Sequence, residues 1–263
     1  MPDQSDPGRE LAGNWRRTLL VDEDGTRDTS TDVSWLQAER AFLDLRRPAG
    51  RPSFAGVRSL RGLGFGQIRW LATQQAFAGE LIDRGDHVEW VRHIDLHPPG
   101  RHPDAGTLTE AAGVLVERGR YTDYLEHWRR EPPGGGPSWA MSLVERHTET
   151  PARLLRVGAV FGWARGRRAE LATGPTLAEM VEAAPSLALA QDLVDVEVSL
   201  GVADAEWTVT ASSLPYREDT AFLLTMPGKP IRGDTVTTEE PGVTGEIVAR
   251  RWTVTDVEGE VAG

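Results

Sequence analysis

Apolar and polar residues alternate along this chain in short runs, and Gly, Pro or Asp breaks nearly every run before a helical period can establish itself. The runs are Ala41–Arg46, His87–Leu96, Gly113–Glu117, Tyr121–Arg129, Leu154–Phe161, Leu193–Leu200, Glu206–Ala211, Thr220–Thr225 and Ile247–Val254. Period-two runs of this length pair as antiparallel strands, and a chain with so few helical stretches cannot supply the crossovers of a parallel sheet. Closing the sheets on themselves hides strand edges, so the expectation is a mostly β chain of two small antiparallel β-barrels. The exception is Pro175–Ala184, where Thr176 and Glu179 make a capping box and Pro185 ends the run. It predicts one short helix in the second half.

The joint between the barrels is legible at Glu131-Pro-Pro-Gly-Gly-Gly-Pro-Ser138, which neither a helix nor an interior strand can absorb. It predicts a first module over 1–132 and a second over 137–263. Of the net charge of −11, residues 1–130 carry −2 and residues 131–263 carry −9, while five of the six His precede the joint. Each half opens comparably, with Trp15–Val21 and Trp139–Arg146, and each follows with a Trp-bearing run, Ser34–Gln37 and Phe161–Ala164. The halves read as related modules, the first of them specialised.

Composition removes several function classes. Without Cys there are no disulfides, Cys-ligated zinc, iron–sulfur clusters or thiol nucleophiles. The acidic balance argues against nucleic acid as a partner. Apolar stretches fall short of the roughly 20 residues that span a bilayer, and Met1–Glu10 is polar, so no membrane partner and a cytoplasmic location are expected. Lys229 is the only lysine among 29 basic residues, which reads as the coding bias of a GC-rich bacterial genome. The signatures of serine hydrolases, Walker loops and His-Glu-x-x-His zinc sites are missing, and Gly62–Gly66 reads as a flexible loop rather than a dinucleotide fingerprint.

Three stripes carry ionisable groups among aromatics. In Val88–His97, alternation puts Glu89, His93, Asp95 and His97 on one face and Trp90, Arg92, Ile94 and Leu96 on the other. The first set is either a solvated face or a metal site of His93, Asp95 and His97. In the former case Arg92 points inward and needs a carboxylate. Phe42, Asp44 and Arg46 share a second stripe, and Tyr124, Glu126 and Trp128 a third. With Trp35, Gln37 and Trp90, and with Glu117 joining from a neighbouring strand, they are expected to line one cavity with aromatic walls and a polar cluster. Asp104 and Gly106 read as a turn. Asp44, Arg46, Arg92, Tyr124 and Glu126 are the candidate catalytic set; Trp35, Gln37, Phe42, Trp90, Glu117 and Trp128 are the candidate substrate-binding set.

Leu11-Ala-Gly-Asn-Trp15 presents the Gly-x-Trp that opens lipocalin and other calycin barrels. Further landmarks follow in order: Trp35-Leu-Gln37, Phe42-Leu-Asp-Leu-Arg46, Asp104-Ala-Gly106, Tyr124-Leu-Glu-His-Trp128, Gly233-Asp-Thr-Val236 and Trp252-Thr-Val254. In this order the chain resembles the fungal kinase-interacting family of two tandem lipocalin-like barrels and its bacterial relatives. The resemblance implies the two-barrel fold and brings no established reaction with it. The residues themselves point to a small, partly apolar organic metabolite held in the first barrel. Carboxyl, phenol and guanidinium groups there suit acid/base chemistry without a cofactor: isomerisation, cyclisation, dehydration or a lyase step. A non-catalytic carrier or sensor, a His-ligated metal or haem site, and protein recognition by the acidic second half are the alternatives.

Overall fold

The computed structural model describes residues 10–132 and 134–261. The polar start before Glu10, Pro133 of the joint and the last two residues of the second predicted module lie outside the described residues. The chain is mostly β, with two barrel-like sheets, one closed and one nearly closed.

The first sheet runs through β1 (Gly13–Val21), β2 (Arg27–Asp28), β3 (Asp32–Gln37), β4 (Ala41–Arg47), β5 (Gln75–Asp83), β6 (Val88–Asp95), β7 (Ala105–Ala111), β8 (Val114–Gly119) and β9 (Leu125–Glu131). Its neighbours pair antiparallel in that order, except that β2 and β3 pair along one edge of β1, at its two ends, and β1 closes on β9 along the other edge. It is an antiparallel up-and-down barrel. The second sheet contains β10 (Ser138–Glu145), β11 (Pro151–Val157), β12 (Val160–Arg165), β13 (Glu197–Ala203), β14 (Trp207–Ser212), β15 (Leu223–Thr225), β16 (Thr235–Pro241) and β17 (Ile247–Gly259). There β10 pairs with β17, and the seam between β14 and the segment before β15 is spanned by the isolated Thr208–Ala221 bridge and by amide hydrogen bonds from Val209 to Thr220 and from Phe222 to Trp207.

Alternation sorts the apolar residues into three cores. Trp15, Trp35, Phe42, Phe77, Trp90 and Trp128 fill the first barrel. Trp139, Phe161, Trp163, Phe222 and Trp252 fill the second. The intervening residues Leu36, Leu43 and Leu45 point outward and pack on Leu155, Val157 and Leu200 of the other barrel. Here the approach is close enough that a Cβ on Gly162 would lie 2.0 Å from Leu43 Cδ2.

Three short helices extend this shared core: α1 (Phe65–Leu71), α2 (Leu177–Glu182) and α3 (Leu187–Leu193). α2 is the helix expected from the capping box, with Thr176 accepting from the Glu179 amide. The second half carries α3 as well, started by Ser186 just past Pro185. α1 begins where a flexible loop was expected: Leu60, Leu63, Ile68 and Leu71 form an apolar stripe that the inter-barrel core buries. The predicted run Leu154–Phe161 divides at a Gly158–Ala159 turn into β11 and β12, and Leu193 closes α3 rather than opening a strand. Among the described residues no helix is long and apolar enough to cross a membrane.

The halves repeat one plan, and a bulge fixes their alignment. In the first barrel the β5–β6 register shifts between Ala78 and Gly79; in the second the β13–β14 register shifts between Leu200 and Gly201. Both glycines lie tight against the facing strand, since a Cβ would sit 1.8 Å from the Val91 carbonyl oxygen or 2.2 Å from that of Thr208. Gly79 pairs with Phe42 and Gly201 with Phe161, so Phe161, Trp163 and Arg165 correspond to Phe42, Asp44 and Arg46. The Trp-bearing runs compared in the sequence are therefore one strand out of step: Trp163 answers to Asp44, not to Trp35.

Candidate functional site

Inward residues of the first barrel form two layers. At one end the tryptophans pack on each other, Trp35 with Trp15, Trp90 and Trp128 at centroid distances of 5.8, 5.9 and 5.5 Å. Gln37 accepts from the Trp35 indole at 3.1 Å and donates to the Ala38, Arg40 and Ala41 carbonyls, tying off the β3–β4 turn. Phe42 packs edge-on to Phe77. The expected aromatic-walled cavity is thus filled: a void of about 10 Å³ remains between Trp35, Trp90, Trp128 and the layer above, barely what one water needs. Gln37 and Phe42 line neither this void nor the cavity above it.

The other layer is ionic and opens to a cavity of about 350 Å³. Arg46 lies at its centre, donating to both oxygens of Asp44 at 3.0 and 3.2 Å and to Glu126 Oε1 at 3.0 Å. Arg17 joins Glu126 Oε1 at 2.5 Å and Asp28 at 3.0 Å. Glu117 and Glu126 face each other across β8 and β9. Tyr124 donates to Glu117 Oε1 at 2.7 Å and the Trp128 indole to Oε2 at 3.0 Å. Glu126 Oε2 is buried with no hydrogen-bond partner. Arg46, Arg92, Tyr124 and Glu126 reach the cavity itself, whereas Asp44, Glu117, Trp35, Trp90 and Trp128 lie beneath it.

The β6 bulge changes the expected faces. Phe77 pairs with Asp95 and Gly79 with Arg92, so the extra residue at His93 brings Asp95 to Arg92's side of the sheet. Ile94 and Leu96 leave the face of Trp90 for the inter-barrel core. Arg92 finds its carboxylates in Asp95 at 3.0 Å and Asp104 at 2.6 Å, not in the two stripes where they were sought. Asp104 is thereby more than a turn residue; its carbonyl also accepts the Trp90 amide. The expected metal set is dispersed. His93 Nδ1 lies 2.6 Å from Arg153 of the second barrel, Asp95 meets Arg92, and His97 Nε2 lies 2.5 Å from the Gln74 carbonyl. Glu89 pairs outside with Arg84. Among the described residues no three His, Asp or Glu converge as metal ligands.

Burial dominates the electrostatics. It pushes the Glu117 carboxyl up to about 8, with the facing Glu126 and Asp104 adding repulsion. Asp44 is raised by burial despite Arg46, and burial with the Glu117 charge holds the Tyr124 phenol far above its usual range. At neutral pH Glu117 is therefore protonated and Tyr124 is a donor. Arg46, paired by Asp44 and Glu126, stays charged although burial opposes it.

The second barrel holds an ionic cluster that the sequence reading passed over. Arg165 pairs with Asp195 at 2.8 Å, Arg217 with Glu197 at 2.9 Å, and Arg250 bonds Glu240 and Glu145. Its Trp252 indole donates to Thr238 at 2.9 Å, as Trp128 does to Glu117. Register carried around each barrel from the Phe42–Phe161 match sets Glu117 against Val236 and Glu126 against Trp252, so Trp252 is not the counterpart of Trp128. Arg17, Asp28 and this second cluster were missed. The signal available was position: Arg17 lies two residues beyond Trp15, and Arg165 two beyond Trp163.

No known protein-family profile matches the chain, and no curated protein matches it in sequence. An uncharacterized protein from Saccharomyces cerevisiae, 11% identical, superposes over 94% of this chain and 98% of its own with a TM-score of 0.55. That likeness shows a common fold. A lipocalin-like protein from Bacteroides uniformis, 12% identical, aligns over 46% of this chain and 99% of its own at a TM-score of 0.30, too low to argue from.

Proposed function

We propose that the first barrel binds a small, partly apolar organic molecule at its ionic mouth and that the Glu117–Glu126 pair handles a proton on it. The observation that carries this reading is the pair itself, two facing carboxyls buried beneath a cavity of about 350 Å³. The second barrel carries Val236 and Trp252 at the positions of this pair. The fold therefore does not need carboxyls at those positions, and burying one is costly. A cavity of this size lies at the lower end of the small-molecule range.

The mouth suits acid/base work. Protonated Glu117 is an acid with a pKa of about 8, Tyr124 is a second donor, and Glu126 has an oxygen without a partner. Arg17 and Arg46 hold Glu126 in place at the cavity through its other oxygen. Isomerisation, dehydration or a lyase step fits these groups. The tandem landmarks and the yeast superposition support membership of the two-barrel family, which would make this chain a variant with a specialised first barrel.

Native mass spectrometry of the freshly purified protein, beside a metabolite-library thermal-shift screen, tests the binding claim. A retained or stabilising organic molecule that is lost in Arg46→Gln is expected. A protein that retains nothing and responds to no library member refutes the reading. Once a ligand is known, Glu126→Gln is expected to abolish turnover; turnover at the wild-type rate would leave binding without proton transfer.

A further inference from the structure

The ionic mouth of the first barrel is short of positive charge. Among the described residues Arg17, Arg46 and Arg92 face Asp28, Asp44, Asp95, Asp104 and Glu126, with Glu117 as a sixth carboxyl. Every guanidinium is already engaged by carboxylates, two each, so none is spare for an anionic ligand. The group left over is an acceptor: Glu126, 1% exposed, lines the cavity with its Oε2 unpartnered.

The second barrel provides an internal comparison. There Arg165, Arg168, Arg217 and Arg250 pair with Glu145, Asp195, Glu197 and Glu240, four against four. Its own unpartnered atoms are of both kinds, Arg165 Nε and Arg217 Nη2 beside Glu240 Oε2. The excess of acid in the first barrel arises at positions that are apolar in the second: Asp44, Glu117 and Glu126 stand where Trp163, Val236 and Trp252 do. Buried carboxylates without counter-charge are unfavourable, so such a site favours a ligand that brings the charge with it.

We propose that the mouth takes a small organic cation, an ammonium or amidinium group on a short apolar body, which donates to Glu126 Oε2 and lies against Glu117. This rests on the mouth-binding reading above and adds the charge class. Protons supply part of the missing charge otherwise, chiefly on Glu117, which faces Tyr124, Glu126 and Trp128 from β9, Asp44 and Arg46 from β4, and Asp104. Cation binding must then release a proton.

The test is calorimetric titration of the full chain with benzamidine, phenethylamine, 2-phenylethanol and 3-phenylpropionate. The two cations are expected to bind at least about tenfold tighter than the alcohol, with the carboxylate weakest. Benzamidine, charged throughout, is expected to tighten from pH 6.5 to 8.5 and to release a proton, seen as a dependence of the heat on the buffer. Glu126→Gln should lose about tenfold for the cations. If that variant does not fold, Glu117→Gln, which mimics the protonated group, should fold and lose the pH dependence. Equal or tighter binding of the alcohol or carboxylate, or calcium chloride matching benzamidine, overturns the cation assignment and leaves a mouth that binds other molecules. No binding by any probe overturns both readings.

Discussion

Glu117 makes a stability signature that a surface carboxylate cannot. Its folded pKa of about 8 stands above the ordinary 4.5, so between those values the folded state holds a proton that the unfolded chain has released. Stability from this group is complete below about 4.5 and is lost as pH rises to about 8, on the order of a few kcal/mol. Urea melts at pH 5.5, 7 and 8.5 should fall in this order, and Glu117→Gln should flatten the fall. An unchanged slope in the variant would mean that another group carries it. Arg46→Met should cost about 3–5 kcal/mol, because it strands Asp44 and Glu126 in the interior. Arg69→Met breaks an exposed pair with Glu182 and should cost no more than about 1 kcal/mol. Similar losses for both would deny that the mouth arginine is buried among its partners.

At the scale of the element, the β6 bulge decides what the mouth contains. Gly79 permits the Val91 carbonyl to approach, and the extra residue at His93 turns Asp95 toward Arg92. Gly79→Ala forces the two strands apart and should cost at least about 1–3 kcal/mol. It should also weaken ligand binding at the mouth, which a screened hit titrated against the variant would reveal; unaltered affinity would detach the bulge from the site. The alternating runs foretold most strands because one face of each is buried and the other is not. A bulge leaves no such trace: His93, Ile94 and Asp95 read as plain alternation, and only the facing Gly79 shows where the register slips. The inward positions of Asp44, Arg46, Tyr124, Glu126 and Glu117 were legible, while those of Asp95 and Asp104 were not.

For the whole molecule, the outward leucines of β3 and β4 make the barrels one body. Leu36, Leu43 and Leu45 share a core with Leu155, Val157, Leu200 and the three helices, so neither barrel can unfold without exposing the other's apolar face. Calorimetry should give a single transition. Leu43→Ala, at 0% exposure, should lower stability by about 2–5 kcal/mol and is the change expected to split that transition in two. Two transitions in the wild type would contradict a common core. Arg167 adds a polar tie, donating to the Asp95 carbonyl at 2.8 Å and to that of Leu96, beside the mouth.

The sequence by itself determined the class of fold, the two modules and the facing stripes of the first barrel, because alternation, turn residues and helix caps act over a few neighbours. Tertiary structure decided which stripes meet, how tightly the tryptophans fill one end, and how the charges balance. These depend on closure of β1 on β9 and on a bulge set by a facing strand, contacts between residues as distant as Arg17 and Glu126 that no local pattern encodes.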